Sequence, residues 1–422
     1  MTIQISKLGR LRLAVEAVFN TSESGTPSNF LDLPVVEGSV QFTGMQDHLE
    51  PEVMQQFVHA YTDSKMVLGK KSSTLAATTY LAGTGNACNG LASPGFLTGT
   101  TWALYRLLST LMGGVYQGTT ALNALTLTTA TPTTTNVPIT TNHGTNFALA
   151  GGAYAVVLPS GIIEAREILS FTASSVVPKI AHSVAPAVGA QVYWPTSFHT
   201  IEGITSNLPA LQWLAEGVET SDEYVALGTQ GTFAIDITTG AIAKMPLTLT
   251  GASWLRTSTL TLAAPTSIPG FSPIVHMGSE LLVGTVGSTT RTVVPHASST
   301  WTPGLAVVPI TSPEGLQSSN TIGWKRGRSR AISGSFVAYG DDAMNWLSAD
   351  AARSDLCIHQ QIGMTTAGIV LLTAPTVQLS AVPPRTDASD LYGLTVSWAG
   401  RNDASIAVSS DIGRSAWRVH VF

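Results

Sequence analysis

Residues capable of chemistry are few in this chain, and none stands in a complete constellation. Gly83-Thr84-Gly85-Asn86-Ala87-Cys88 opens like the glycine turn that lays a dinucleotide pyrophosphate on a helix N-terminus. Cys88 stands where the last glycine is needed, and no helical pattern follows directly. Gly69-Lys70-Lys71-Ser72 ends like a phosphate-binding loop, yet Ser64 occupies the place of its first glycine, so the backbone cradle is incomplete. No GxSxG pentapeptide presents a serine nucleophile. The nine histidines are His48, His59, His143, His182, His199, His276, His296, His359 and His420. None forms HxH or HExxH or stands at ligand spacing from a cysteine, so surface or interface positions are expected.

Asp341-Asp342 with Asp355, or Asp387 with Asp390, would be the carboxylate pairs of a hydrolase. Both groups fall in helix-cap and turn contexts, which account for them without catalysis. Trp324-Lys325-Arg326-Gly327-Arg328-Ser329-Arg330 is the basic cluster of the chain. It could touch phosphate, but the rest of the sequence is acidic, and pairing with acids on a neighbour is the preferred reading. The nine tryptophans are scattered and expected as core or interface anchors. The residues therefore nominate no catalytic, cofactor-binding or metal-binding site, and no cofactor.

The elements that would carry any site are mostly strands. Half-buried strand patterns appear at 11–18, 35–42, 73–81, 331–337, 368–372 and 391–398. The clearest hairpin has arms 231–237 and 241–251 around Thr238-Thr239-Gly240. Thr101–Met112 has helical spacing, with Thr100 or Thr101 as cap and Gly113-Gly114 as stop. Asp341 to Ser348 suggests a shorter second helix. The fold class expected is mainly β, a β-rich α+β protein.

Charge is scarce. Lys+Arg number 21 against Asp+Glu 26, a net −5, and charged residues make up 11% of 422, where roughly 25% is ordinary. Thr fills much of the difference, at about one residue in eight. Hydrophobic content of 44% excludes charge-driven disorder, and the acidic balance excludes a basic nucleic-acid binder. No charged residue lies between Arg106 and Glu164, or between Arg256 and Glu280. The first gap holds a Thr-rich stretch, 121–145, read as an extended arm or paired strand because Thr favours strands. Cys88 and Cys357 read as free structural thiols. The N-terminus lacks a signal-peptide core, and the apolar window 147–163 contains Gly151, Gly152 and Pro159 and is too short for a bilayer of about 30 Å. Cytoplasmic synthesis without membrane insertion is expected.

Several of these signals, in order, resemble tail tube (major tail) proteins of long-tailed bacteriophages. The likeness is carried by Tyr193-Trp194-Pro195-Thr196-Ser197, then Leu227-Gly228-Thr229-Gln230-Gly231-Thr232-Phe233-Ala234-Ile235, then Pro246-Leu247-Thr248-Leu249-Thr250-Gly251. Upstream, Leu68–Leu75, the Gly83-Thr84-Gly85 turn and the Trp102–Met112 helix occur in the family's order; downstream, Leu356–Gly363, Gly368–Val370 and Pro375–Leu379 resemble its closing strands. The resemblance implies tandem β-sandwich or barrel modules, 1–255 and 256–422, each with about one flanking helix. It implies a structural protein without enzymatic activity that self-assembles into stacked rings around a genome channel. Trimeric rings are favoured over hexameric ones. Partners would be further copies, the tape measure, terminator and distal tail proteins, and passing DNA without specific binding, in the virion tail after assembly in the host cytoplasm. The low, acidic charge agrees, since Lys/Arg contacts supply most non-specific DNA affinity. Met45–Met66 and Ala121–Thr145 are expected as inter-subunit or inter-ring arms. The alternative is a β-sandwich capsid decoration or adhesin-type binding protein.

Overall fold

A computed structural model describes residues 8–21, 30–49, 67–83, 102–117, 126–127, 130–139, 148–200, 210–217, 223–257, 272–274, 280–312, 321–326, 332–339, 346–364, 368–380, 385–388, 391–403, 412 and 415–422. The class is mainly β, as the alternating patterns require. The described strands form a 19-stranded sheet, a 6-stranded sheet and two 2-stranded ribbons.

Lys244–Thr257 illustrates why these residues form strands. Met245, Leu247 and Leu249 point into the core while Lys244, Thr248 and Thr250 face out, a period of two. This strand pairs antiparallel with Val67–Tyr80 on one side and Glu223–Phe233 on the other. The expected hairpin is therefore present but longer, with Thr229 opposite Gly251 and Gly231 opposite Leu249. Its turn end also takes a second partner. Beyond Phe233 the pair narrows to Asp236 opposite Lys244 before the turn at Gly240, and the other edge of Ile235–Thr238 pairs with His296–Thr302. Gly231 is obligatory by space: a Cβ there would lie 2.2 Å from Thr248 O.

The Val35–Phe42 expectation is corrected. Val35 makes a single bridge to Thr79, Gly38 turns the chain, and the strand runs Gln41–Leu49. Helix α1 spans Ala103–Met112, burying Leu104, Leu107, Leu108 and Leu111 on one face. Its N-cap is Trp102, without a side-chain cap, and Gly113 at φ 88° ends it by donating its N–H to Ser109 O. Helix α2 spans Trp346–Ala351, overlapping the expected segment; residues 341–345 lie outside the described residues.

Gly113–Tyr116 pairs with Thr196–Thr200, placing Tyr116 opposite Ser197. Residues 117–195 are thus an insertion carried on a two-stranded neck, and Gln117 Nε2 donates to Thr196 Oγ1 at 3.0 Å across its mouth. The 6-stranded sheet is this insertion, built around Ala153–Val157 and Ile163–Thr172. In the Thr-rich stretch, Thr126–Leu127 and Val137–Pro138 are short strands paired within that sheet, whereas residues 130–136 are a loop, and Val137 and Ile139 are buried. The large sheet crosses the boundary expected near residue 255. Ile235–Thr238 pairs with His296–Thr302, and Thr196–Thr200 pairs with Arg418–Val421.

Trp213, Trp301, Trp346, Trp398 and Trp417 are fully buried, as expected of core anchors. Trp301 and Trp398 meet edge-on at 5.0 Å. No helix among the described residues is long and apolar enough to cross a membrane.

Candidate functional site

The densest chemistry lies where the insertion meets the large sheet. Ile163–Thr172 is an apolar strand interrupted by Glu164, Arg166 and Glu167. Alternation sends Glu164 and Arg166 to one face and Glu167 to the other. All three are buried, so each needs a partner.

On the first face, Arg166 Nη2 donates to Glu164 Oε2 at 2.9 Å and to Glu280 Oε2 at 3.2 Å. Its Nη1 donates to Ala165 O at 2.8 Å. Glu164 Oε2 also contacts His182 Nδ1 at 3.0 Å and accepts from Ser183 N at 3.1 Å, while Tyr154 Oη lies 2.7 Å from His182 Nε2. Arg291 Nη2 closes the row on Glu280 Oε1 at 2.5 Å.

On the second face, Arg418 bridges Glu167 and Asp403: its Nη1 donates to Glu167 Oε1, and its Nη2 donates to Asp403 Oδ2 at 2.9 Å. Lys179 Nζ lies 2.9 Å from Glu167 Oε1 and in direct contact with Asp403 Oδ2. His359 Nε2 approaches Glu167 Oε2 at 3.5 Å. Arg418 Nε donates to Ile412 O at 2.8 Å. The guanidinium packs flat against Gly151, where a Cβ would sit 3.0 Å from Cζ. Gln361 completes the junction, accepting from Ala165 N at 2.8 Å and donating to Ile163 O at 2.7 Å.

The charges balance: Glu164, Glu167, Glu280 and Asp403 against Arg166, Lys179, Arg291 and Arg418. Burial pushes the Glu164 carboxyl up, but His182, Arg166 and Ser183 outweigh it and hold it down at about 2. Burial likewise opposes Glu167 and Asp403, and Arg418 and Lys179 overcome it in both, keeping Glu167 well below and Asp403 below the usual carboxylate range. Burial drives the imidazoles the other way: His182 to about 4 and His420 to about 3, with His359 also lowered. The same burial raises the Cys357 thiol to about 12, so this free cysteine is a poor nucleophile. A cleft lined by Lys179, Cys357, Pro375 and the Thr285–Ser288 turn has room for about one water molecule.

Most of the motifs weighed in the sequence do not converge here. Gly69–Ser72 is part of the continuous strand Val67–Tyr80 and forms no phosphate loop. Asp355 is at the surface, accepting from Gln378 Nε2 at 2.8 Å; Asp387 lies on the strand Arg385–Ala388, and Asp390 lies outside the described residues. Arg326 is bonded within the chain: its Nη2 donates to the α1 carbonyl of Leu111, and burial lowers its pKa to about 10. Arg328 and Arg330 lie outside the described residues. The histidine expectation is corrected more broadly, because His182, His199, His296, His359 and His420 are all buried. Among the described residues no His, Cys, Asp and Glu grouping could hold a metal ion.

The cluster itself was missed in the sequence. Its signal was Glu164-Ala165-Arg166-Glu167, three charges closing the long charge-free span inside an otherwise apolar strand. No family model matches the chain, and no curated protein matches it.

Proposed function

We propose that this chain is a structural, self-assembling β protein of the phage tail tube type, forming stacked rings around a genome channel and carrying no enzymatic activity. The observation that carries this reading is the pairing of the strands on which the resemblance rests. Glu223–Phe233 and Lys244–Thr257, holding the Gly228–Thr232 and Pro246–Gly251 segments, form one long antiparallel pair, flanked by Val67–Tyr80 and backed by α1. The charge distribution supports it as well. The strongest ion pairs are internal and mutually neutralised, so they offer no basic surface to passing DNA. Trimeric rings, tail-protein partners and a virion location belong to the same reading.

Negative-stain electron microscopy of the purified chain tests it. Rings or tubes with an axial hole are expected. A monodisperse monomer at high concentration would refute it.

A further inference from the structure

We propose that Lys179 and Asp403 form an intramolecular isopeptide bond, with Glu167 as the proton-transferring carboxylate. This is independent of the tube reading and rests on the buried second face of the cluster.

Three observations converge. An amine and a carboxylate from distant parts of the chain are in direct contact, with side chains 4% and 0% exposed. A second carboxylate, Glu167, touches the same amine at 2.9 Å and is itself 0% exposed. The backbone holds the group in register, since Lys179 N donates to Glu167 O at 2.8 Å and fixes the stem beside its carboxylate.

Burial opposes every charge in this group, and pairing with Lys179 and Arg418 is what keeps Asp403 ionised. Two carboxylates, one ammonium and one guanidinium are shut away from water, and the guanidinium stays charged throughout. Passing the ammonium proton to Asp403 leaves an amine, a carboxylic acid and a single Arg418–Glu167 pair, which halves the buried charge. That tautomer contains a nucleophile touching an electrophile. A small population suffices, because the product drains it.

The step balances. Nζ of Lys179 attacks Cγ of Asp403, and the Nζ–Cγ bond forms. Glu167 takes the amine proton and returns it to the departing Asp403 oxygen, whose C–O bond breaks to release water. Arg418 Nη2, at 2.9 Å from Oδ2, is placed to stabilise the oxyanion in between. Nothing is oxidised or reduced. The cleft beside Lys179 has room for about one water, the size of the leaving group.

Intact-mass spectrometry and tryptic mapping of the purified full chain test the proposal. Expected is a mass about 18 Da below that of the linear sequence, one water, with Lys179 joined to Asp403 in a branched peptide and protected from cleavage. Lys179→Arg should keep its full mass, and Glu167→Gln should leave most molecules unlinked. Wild-type protein at full mass, with Lys179 and Asp403 in separate linear peptides, would overturn the bond. A water lost between Lys179 and Glu167, or elsewhere, would overturn the assignment to Asp403. Complete linking in Glu167→Gln would overturn the role of Glu167. The wild-type measurement stands even where a variant fails to fold.

Discussion

Replacing Arg418 by methionine is the sharpest test of whether the buried cluster holds the insertion to the large sheet. Methionine keeps most of the side-chain volume, so the loss is electrostatic and hydrogen-bonding. Arg418 donates to Glu167, to Asp403 at 2.9 Å and to Ile412 O at 2.8 Å, and its side chain and both carboxylates are fully buried. Removing one member of such a group costs about 3–5 kcal/mol, because the partners' charges stay buried. Exposed Lys244→Met is the control, with a change within about 0.5 kcal/mol.

Acidity supplies a second, independent signature. In the wild type, Glu167 is held well below its ordinary pKa. Its contribution is complete above the unfolded carboxylate pKa of about 4 and is lost as pH falls through the lower folded value. Without the guanidinium, burial is less opposed and raises the Glu167 carboxyl, so the variant has a buried group that favours protonation. The gap between wild type and variant should therefore narrow as pH falls from about 7 to about 5. Urea unfolding followed by tryptophan fluorescence measures it at both values. A loss below about 1 kcal/mol, or a gap that does not change with pH, would refute the clamp.

Three further outcomes follow from other parts of the fold. Gly231→Ala should cost about 1–3 kcal/mol, seen as a lower thermal midpoint, because the new methyl would sit 2.2 Å from Thr248 O. Trp301→Ala should cost about 3–5 kcal/mol in the same assay, since it empties a buried contact with Trp398 and removes the 2.6 Å bond to Gln360 Oε1. His182 and His420 should stay neutral by NMR well below their unfolded pKa of about 6.5, near 4 and 3 respectively, so that stability falls as pH drops from about 6.5. An imidazole titrating near its ordinary value in the folded chain would contradict that placement.

The legible parts of this fold are local. Alternation in Lys244–Thr257 and leucine spacing before Gly113 each depend on neighbouring residues, and both elements are present. The departures occur where distant partners compete. Ile235–Thr238 adds His296–Thr302 to its hairpin partner, and Thr196–Thr200 joins Gly113–Tyr116 to Arg418–Val421. Nothing near those residues encodes such choices. The cluster was illegible for the same reason: Arg166 finds Glu280 after 114 residues and Glu167 finds Arg418 after 251. The histidines were misjudged because isolated imidazoles carry no burial signal until partners such as Tyr154 are in place.

These placements change what the scarcity of charge means. Of 21 + 26 = 47 charged residues, the eight at the insertion junction balance one another, and none is needed to dissolve the protein. Glu164, Arg166, Glu167, Lys179, Asp403 and Arg418 are themselves buried, so they serve an internal junction and not the outer surface. An apolar junction would seal equally well, but strands can slip against a uniform surface. Directional bonds between named pairs on both faces of Ile163–Thr172 admit one docking of the insertion. In a chain reading as a subunit of a repeating assembly, a fixed insertion makes every copy alike.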